Sequence, residues 1–384
     1  MFSGGIPMQK RTLIIFIGGL LALVGVGVGV AIINGSPTKI SAKEESQSTQ
    51  EATSPPAVTG TIWVANEDGM SVTAIDAQTN KVVTTLSGIA TPHNLQIAPD
   101  NRNLWVVSGE NSFAAVIDAQ TMELQNIVPT GMTPAHIVVS PDGRTAYTTN
   151  GGANTVSVID IGSMKSVATI GVGAGPHGLR PSPDGKWVYI ANVKGTTLSV
   201  IDTAKRKKVA DIEVGSSPAQ VGFSPDGRFV YASISGESAV AKVDVASRKL
   251  IEKISVGVVP IQVYVTPDGK YLLVANQGTA AKPSTTLSVI DTETFKVVET
   301  ITTGMGAHGV VVEPSSRYAY ITNIYGNDVA VLDLSEMKII ARIPVGAKPN
   351  GITFSTAVVT TSPAPMIKLP IPKMNSNDMS GMDM

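Results

Sequence analysis

Residues 134–175 read PAHIVVSPDGRTAYTTNGGANTVSVIDIGSMKSVATIGVGAG, and this stretch decides the fold. It holds four short β-branched and apolar runs, at residues 136–140, 145–149, 155–159 and 166–170. Between them stand Pro141-Asp142-Gly143 and clusters of Gly, Asn and Ser, the residues that turn a chain. The runs therefore read as four strands joined by hairpins. The apolar spacing of three and four that a helical repeat needs is absent.

Outward from this stretch, the same unit recurs. A residue opening the first strand stands at Pro92, Pro134, Pro176, Pro218, Pro260, Ala307 and Pro349, 42 residues apart except for one step of 47. An Asp after the third run stands at Asp76, Asp118, Asp160, Asp202, Asp244, Asp291 and Asp333, with the same spacing and the same long step. Two independent markers thus agree on seven units of four strands, the period of a β-propeller blade. The repeat begins at residues 61–65 with the second strand of a unit and ends at residues 349–355 with a lone first strand. Joining the two completes a blade. The expected fold is an all-β, seven-bladed propeller of four-stranded antiparallel blades, its ring closed by the N- and C-terminal strands so that no sheet edge is left open there.

Residues 13–33 carry no charged or strongly polar side chain, and Lys10 and Arg11 precede them. A helix of that length spans the ~30 Å hydrocarbon layer, with the basic end on the cytoplasmic side. The run ends Ala31-Ile32-Ile33-Asn34 rather than in the small-residue site of a cleaved signal peptide. The expected organisation is a cytoplasmic N-terminus (1–11), a transmembrane anchor (12–34), a flexible linker (35–60), the propeller (61–355) and a disordered Met-rich tail (356–384). The propeller then stands on the extracytoplasmic side of a cell membrane.

Composition removes several function classes. With 29 Lys+Arg against 30 Asp+Glu there is no basic field for nucleic acid. The one basic run, Lys205-Arg206-Lys207-Lys208, falls at a hairpin turn. The absence of cysteine removes disulfides, thiolate metal sites, c-type haem attachment and iron–sulfur clusters. The seven periodic Asp residues read as turn formers rather than as a catalytic or calcium set.

Pro176-His177-Gly178, Ser182-Pro183-Asp184-Gly185 and Tyr189-Ile190-Ala191-Asn192 resemble the unit of the YVTN-type β-propeller repeat family. Tyr147-Thr148-Thr149-Asn150 and Tyr320-Ile321-Thr322-Asn323 are close to its signature tetrapeptide, whereas Tyr231-Ala232-Ser233-Ile234 departs at the Asn. The resemblance implies the propeller fold. For function it spans surface proteins, binding proteins and relatives of enzymes, lactonases among them.

The only four histidines, His93, His136, His177 and His308, all lie within two residues after the opening landmark. In an up-and-down blade that loop shares a face with the loop between strands two and three, and the five-residue insertion around residues 278–284 lies there too. Along the innermost strands the third and fifth positions after the landmark are apolar and the second and fourth are largely polar, so the latter face the channel. His136 is expected in the channel mouth with His93, His177 and His308 on its rim. Asn94, Arg180, Gln220, Gln262, Tyr264 and Asn350 are expected to line a ligand site.

Imidazole is the commonest metal ligand. The arrangement resembles in outline the histidine-lined copper site of nitrous oxide reductase, with fewer histidines and no cysteine. At the C-terminus Met374, Met379, Met382 and Met384 sit among polar residues. Thioethers select Cu(I), and the run resembles the Met-rich segments of periplasmic copper-resistance proteins. The expected function is a membrane-anchored binding or interaction scaffold that takes a protein or small ligand on its histidine face, with copper as the suggested cofactor. Two alternatives stand beside it. One is a lactonase-type hydrolase with His136 as base and Arg180 and Tyr264 as anion clamp. The other is a purely structural surface protein.

Overall fold

The computed structural model describes residues 58–359 and 364–372. The first blade runs outward through Pro92–Ile97, Asn103–Ser108, Phe113–Asp118 and Leu124–Pro129, all antiparallel. Five further blades start from the innermost strands Pro134–Val139, Pro176–Pro181, Pro218–Phe223, Pro260–Val265 and Ala307–Val312. The seventh is composite. Its innermost strand, Pro349–Ser355, pairs antiparallel with Thr61–Asn66, and Ser71–Asp76 and Lys81–Ser87 complete it. The register Thr61↔Ser355, Ile62↔Phe354 and Val64↔Ile352 closes the ring through backbone hydrogen bonds.

The core is divided among the blade interfaces. Trp105, Val107, Ile137 and Val139 pack between blades one and two, and Tyr320, Val331, Ile62 and Val64 between blades six and seven. Leu95, Ile137, Val221 and Val310, at the third position after the landmark, are all buried there. Each such side chain contributes about 1.5–3 kcal/mol, so adhesion between blades holds the ring.

The periodic polar residues tie turns. All seven landmark Asp carboxylates accept amide hydrogens two or three residues on; Asp118 Oδ1 takes those of Gln120 and Thr121, both at 2.9 Å. Asn150, last of the signature tetrapeptide, donates to Thr155 and Ser157 at 3.0 Å and accepts the Gly131 amide at 3.0 Å. A Cβ on Gly131 would collide with that Asn side chain. Blade four has Ile234 in place of the Asn, and there Glu237 accepts the Ser216 amide at 2.7 Å.

The five-residue insertion lengthens one hairpin, Tyr271–Thr279 with Lys282–Asp291, out to the pair Thr279↔Lys282. The expected disorder from residue 356 onward needs correction. Met366–Lys368 adds a parallel strand to the outer edge of Lys81–Ser87, and Val359 and Leu369 are buried in the core between blades seven and one. The reason is the period-two series Ile367, Leu369, Ile371, an apolar strand face that Pro365, Pro370 and Pro372 disguise. The apolar run 13–33 and the methionines Met374, Met379, Met382 and Met384 lie outside the described residues. Among the described residues no helix is long and apolar enough to cross a membrane.

Candidate metal centre

The residue before each landmark, from Thr91 through Thr133, Gly175, Ser217, Val259 and Gly306 to Lys348, takes a left-handed backbone with φ between 41° and 75°. For a β-branched residue such as Val259 that conformation is strained. The seven identical turns deliver the chain onto the innermost strands, so the next residues converge at one end of the axis.

Three of the four imidazoles meet there. His93 Nε2 and His177 Nε2 are 3.1 Å apart, and one nitrogen from each of His93, His136 and His177 lies within 4.8 Å of the others. The His136 and His177 ring centroids are 4.6 Å apart. His136, at the second position of blade two, is 3% exposed, while His93 and His177 are half-buried at the mouth.

Each ring has an outer partner. His177 Nδ1 is 2.9 Å from the Ala219 carbonyl oxygen, which only accepts, so Nδ1 carries the proton and Nε2 presents a lone pair. His93 Nδ1 faces two groups, Asn350 Nδ2 at 3.0 Å and Glu67 Oε2 at 3.3 Å. His136 Nδ1 lies 3.3 Å from Gln220 Nε2, and the Gln220 amide also donates to Gln262 Oε1 at 3.3 Å. Gln220 reaches His136 across blade three because Gly178 between them has no side chain. His136 Nε2 is buried and has no partner among the described residues.

The electrostatics keep His136 and His177 neutral. Burial first, then the charges of His177, His93 and Arg180, push the His136 imidazole well below its usual range. Burial and His93 push His177 down to about 4, against the opposing pull of the Ala219 bond and Glu67. For Glu67, burial would raise the carboxyl. His93, Lys348 at 2.8 Å and Asn350 at 2.7 Å outweigh this and hold it well below the usual carboxylate range.

The other expected site residues divide into four groups. His308 is buried rather than on the rim, and its Nδ1 is held 2.8 Å from Gln277 Oε1, outside the three-ring cluster. Gln220, Gln262 and Asn350 support the histidines. Asn94 accepts the Ile137 amide at 3.3 Å and so links blade one to blade two. Arg180 and Tyr264 line a separate axial cavity that reaches the Pro-Asp-Gly turns, and His136 is not among its lining residues.

Glu67 is the residue that the sequence reading misses. It follows Asn66 as Gln277 follows Asn276, and each places its side chain on the histidine of the next blade, His93 or His308. The signal lies in that repeat column, the residue after the tetrapeptide.

With this geometry in view, a family model described as a YNCE-like beta-propeller matches residues 102–182 and 224–362, more than half of the chain. No curated protein matches it. Among solved structures, a chain of Kuenenia stuttgartiensis hydrazine synthase is 26% identical over 69% of this chain and 90% of its own, with a TM-score of 0.64. A protein of unknown function from Desulfotomaculum acetoxidans is 16% identical over 77% and 99%, with a TM-score of 0.69. A candidate 6-phosphogluconolactonase from Bacteroides uniformis is 19% identical over 77% and 99%, with a TM-score of 0.66. At those identities the last two share the fold alone.

Proposed function

The chain belongs to the YNCE-like β-propeller family, and on that premise we propose that it is a metal-binding propeller in which His93, His136 and His177 hold one copper ion. One observation carries this reading. The Nε2 of His136 is buried without a partner among the described residues, beside two other imidazole nitrogens. A buried polar atom of this kind costs free energy unless something satisfies it. The 3.1 Å between His93 Nε2 and His177 Nε2 is close to the ~3.3 Å that two imidazoles make on a tetrahedral ion with bonds of about 2.0 Å.

The chain's own groups support the protonation that ligation needs. His177 already presents its Nε2 lone pair. His93 does so when its proton sits on Nδ1 against Glu67, a carboxylate–histidine pairing that fixes the tautomer and makes the ring a better donor. His136 does so when the Gln220 amide turns its oxygen toward Nδ1. Without metal the same groups form a hydrogen-bonded chain, Asn350 donating to His93 and His93 to His177. Imidazoles suit copper and zinc, and Cu(II) stands highest in the divalent series.

In this reading the apolar run at residues 13–33 anchors the propeller outside a membrane, and Met374, Met379, Met382 and Met384 supply thioethers for Cu(I). The test is elemental analysis after copper loading and gel filtration, on the full chain and on a chain lacking residues 374–384. Both are expected to retain copper at the ring. His136→Ala and His177→Ala are expected to lose it, and His308→Ala to keep it. Retention that is indifferent to His136 and His177 contradicts the proposal.

A further inference from the structure

The other end of the axis carries a second site. A cavity of about 620 Å³ is lined by residues from all seven innermost strands and by the prolines of the turns that follow them, Pro99, Pro141, Pro225, Pro267 and Pro314 among them. It is within the ~300–1,000 Å³ range of small-molecule pockets. The fourth-position residues Gln96, Arg180, Gly222, Tyr264, Val311 and Thr353 form its wall, and Arg180 is the one charged residue in the whole lining.

We propose that this cavity binds a small organic carboxylate through Arg180. No Asp or Glu lines the cavity, and Arg180 makes no ion pair with any described residue. A guanidinium drawn out of water without a counter-charge is costly, and an incoming anion relieves that cost. Surrounding sheet burial is strong enough to push the Arg180 guanidinium below its usual range, although the group keeps some solvent contact through the cavity. Burial likewise raises Tyr264, which therefore faces the cavity as a neutral phenol able to donate.

The lining also selects the kind of anion. One planar fork matches a carboxylate in bidentate fashion. A phosphate dianion calls for further cations or a nest of backbone amides, and the lining offers no second cation. Phe223, Phe354, Val263 and the prolines give an apolar wall for the rest of the molecule, and Gln96, Asn94 and Thr353 add neutral hydrogen-bonding groups. The occupant is thus a mono-anion with a substantial uncharged body.

Calorimetric titration of the metal-free full chain with benzoate, its neutral isostere benzamide and inorganic phosphate tests this independently of the copper reading. Benzoate is expected to bind at least about tenfold more tightly than benzamide or phosphate. Arg180→Gln is expected to bring benzoate down to the benzamide level and leave benzamide unchanged. Equal binding of benzoate and benzamide, phosphate binding tighter than benzoate, or no benzoate heat overturns the proposal, as does unchanged benzoate affinity in Arg180→Gln. Should that variant fail to fold, a benzoate-soaked crystal of the native protein decides. Benzoate is expected with its carboxylate on the Arg180 guanidinium, and benzoate absent from the cavity overturns the idea.

Discussion

Glu67 Oε2 and His93 Nδ1 face each other at 3.3 Å across the junction of the seventh blade and the first. Asn350, from the strand that closes the ring, donates to the same carboxylate oxygen at 2.7 Å. The two ends of the repeat region therefore build both the seam of the propeller and the outer support of the histidine cluster. Ring closure and site formation are coupled in the sequence by residues nearly 300 positions apart, with 283 between Glu67 and Asn350.

Glu67→Gln tests that support. The amide keeps the shape but no longer favours a proton on His93 Nδ1, so copper affinity is expected to fall about 10–100-fold. The Asp substitution, shorter but charged, is expected to recover part of the loss. Competition titration against a copper chelator measures both, and an unchanged affinity in Glu67→Gln removes Glu67 from the site.

Truncation separates the roles of the C-terminal segments. Removal of residues 349–384 strips the innermost strand from the seventh blade and exposes the Thr61–Asn66 edge, so it is expected to give insoluble protein. Leu369→Ala leaves the ring closed and empties one buried position between blades seven and one. A loss of about 2–3 kcal/mol is expected by denaturant unfolding. A soluble, fully stable chain ending before Pro349 refutes the closure.

Acid lability follows from the depressed histidines. Burial holds His177 at about 4 and His308 at about 3, against 6.5 for the unperturbed side chain. As pH falls below 6.5 the unfolded chain takes up protons that the folded one refuses, so stability is present in full above that value and is lost on acidification. The loss per histidine approaches about 1.4 kcal/mol per pH unit until the folded value is reached. Denaturant unfolding of the metal-free chain between pH 6.5 and about 4 is expected to show this slope, less steep in His308→Gln. Stability flat over that window contradicts the burial of these rings.

Blade four offers a structural test. In this blade, which lacks the tetrapeptide Asn, Glu237 accepts the Ser216 amide, so Glu237→Ala is expected to cost about 1 kcal/mol. Asn150→Ala in blade two is expected to cost more, because it removes three buried or part-buried bonds. Equal effects measured by thermal unfolding contradict this ranking.

The ring was legible because its periodicity is a backbone requirement: every blade has its opening turn and its landmark Asp. The histidine face was legible for the same reason, since position within the repeat sets the end of the axis. Depth along the axis was less visible. Second and fourth positions share a strand face but lie two residues apart, about 6.6 Å. That separation puts His136 in one site and Arg180 and Tyr264 in another. The removal of His308 from the cluster depends on Gln277, and the ligand-orienting acid on Glu67, both in a column that varies freely from blade to blade.

The most direct measurement is copper K-edge X-ray absorption on the copper-loaded full chain. Three imidazole nitrogens at about 2.0 Å, with the outer-ring scattering that identifies histidine, are the predicted result, and His136→Ala is expected to lower that number. A shell of thioether sulfur without imidazole scattering puts the metal on the methionines and contradicts the site.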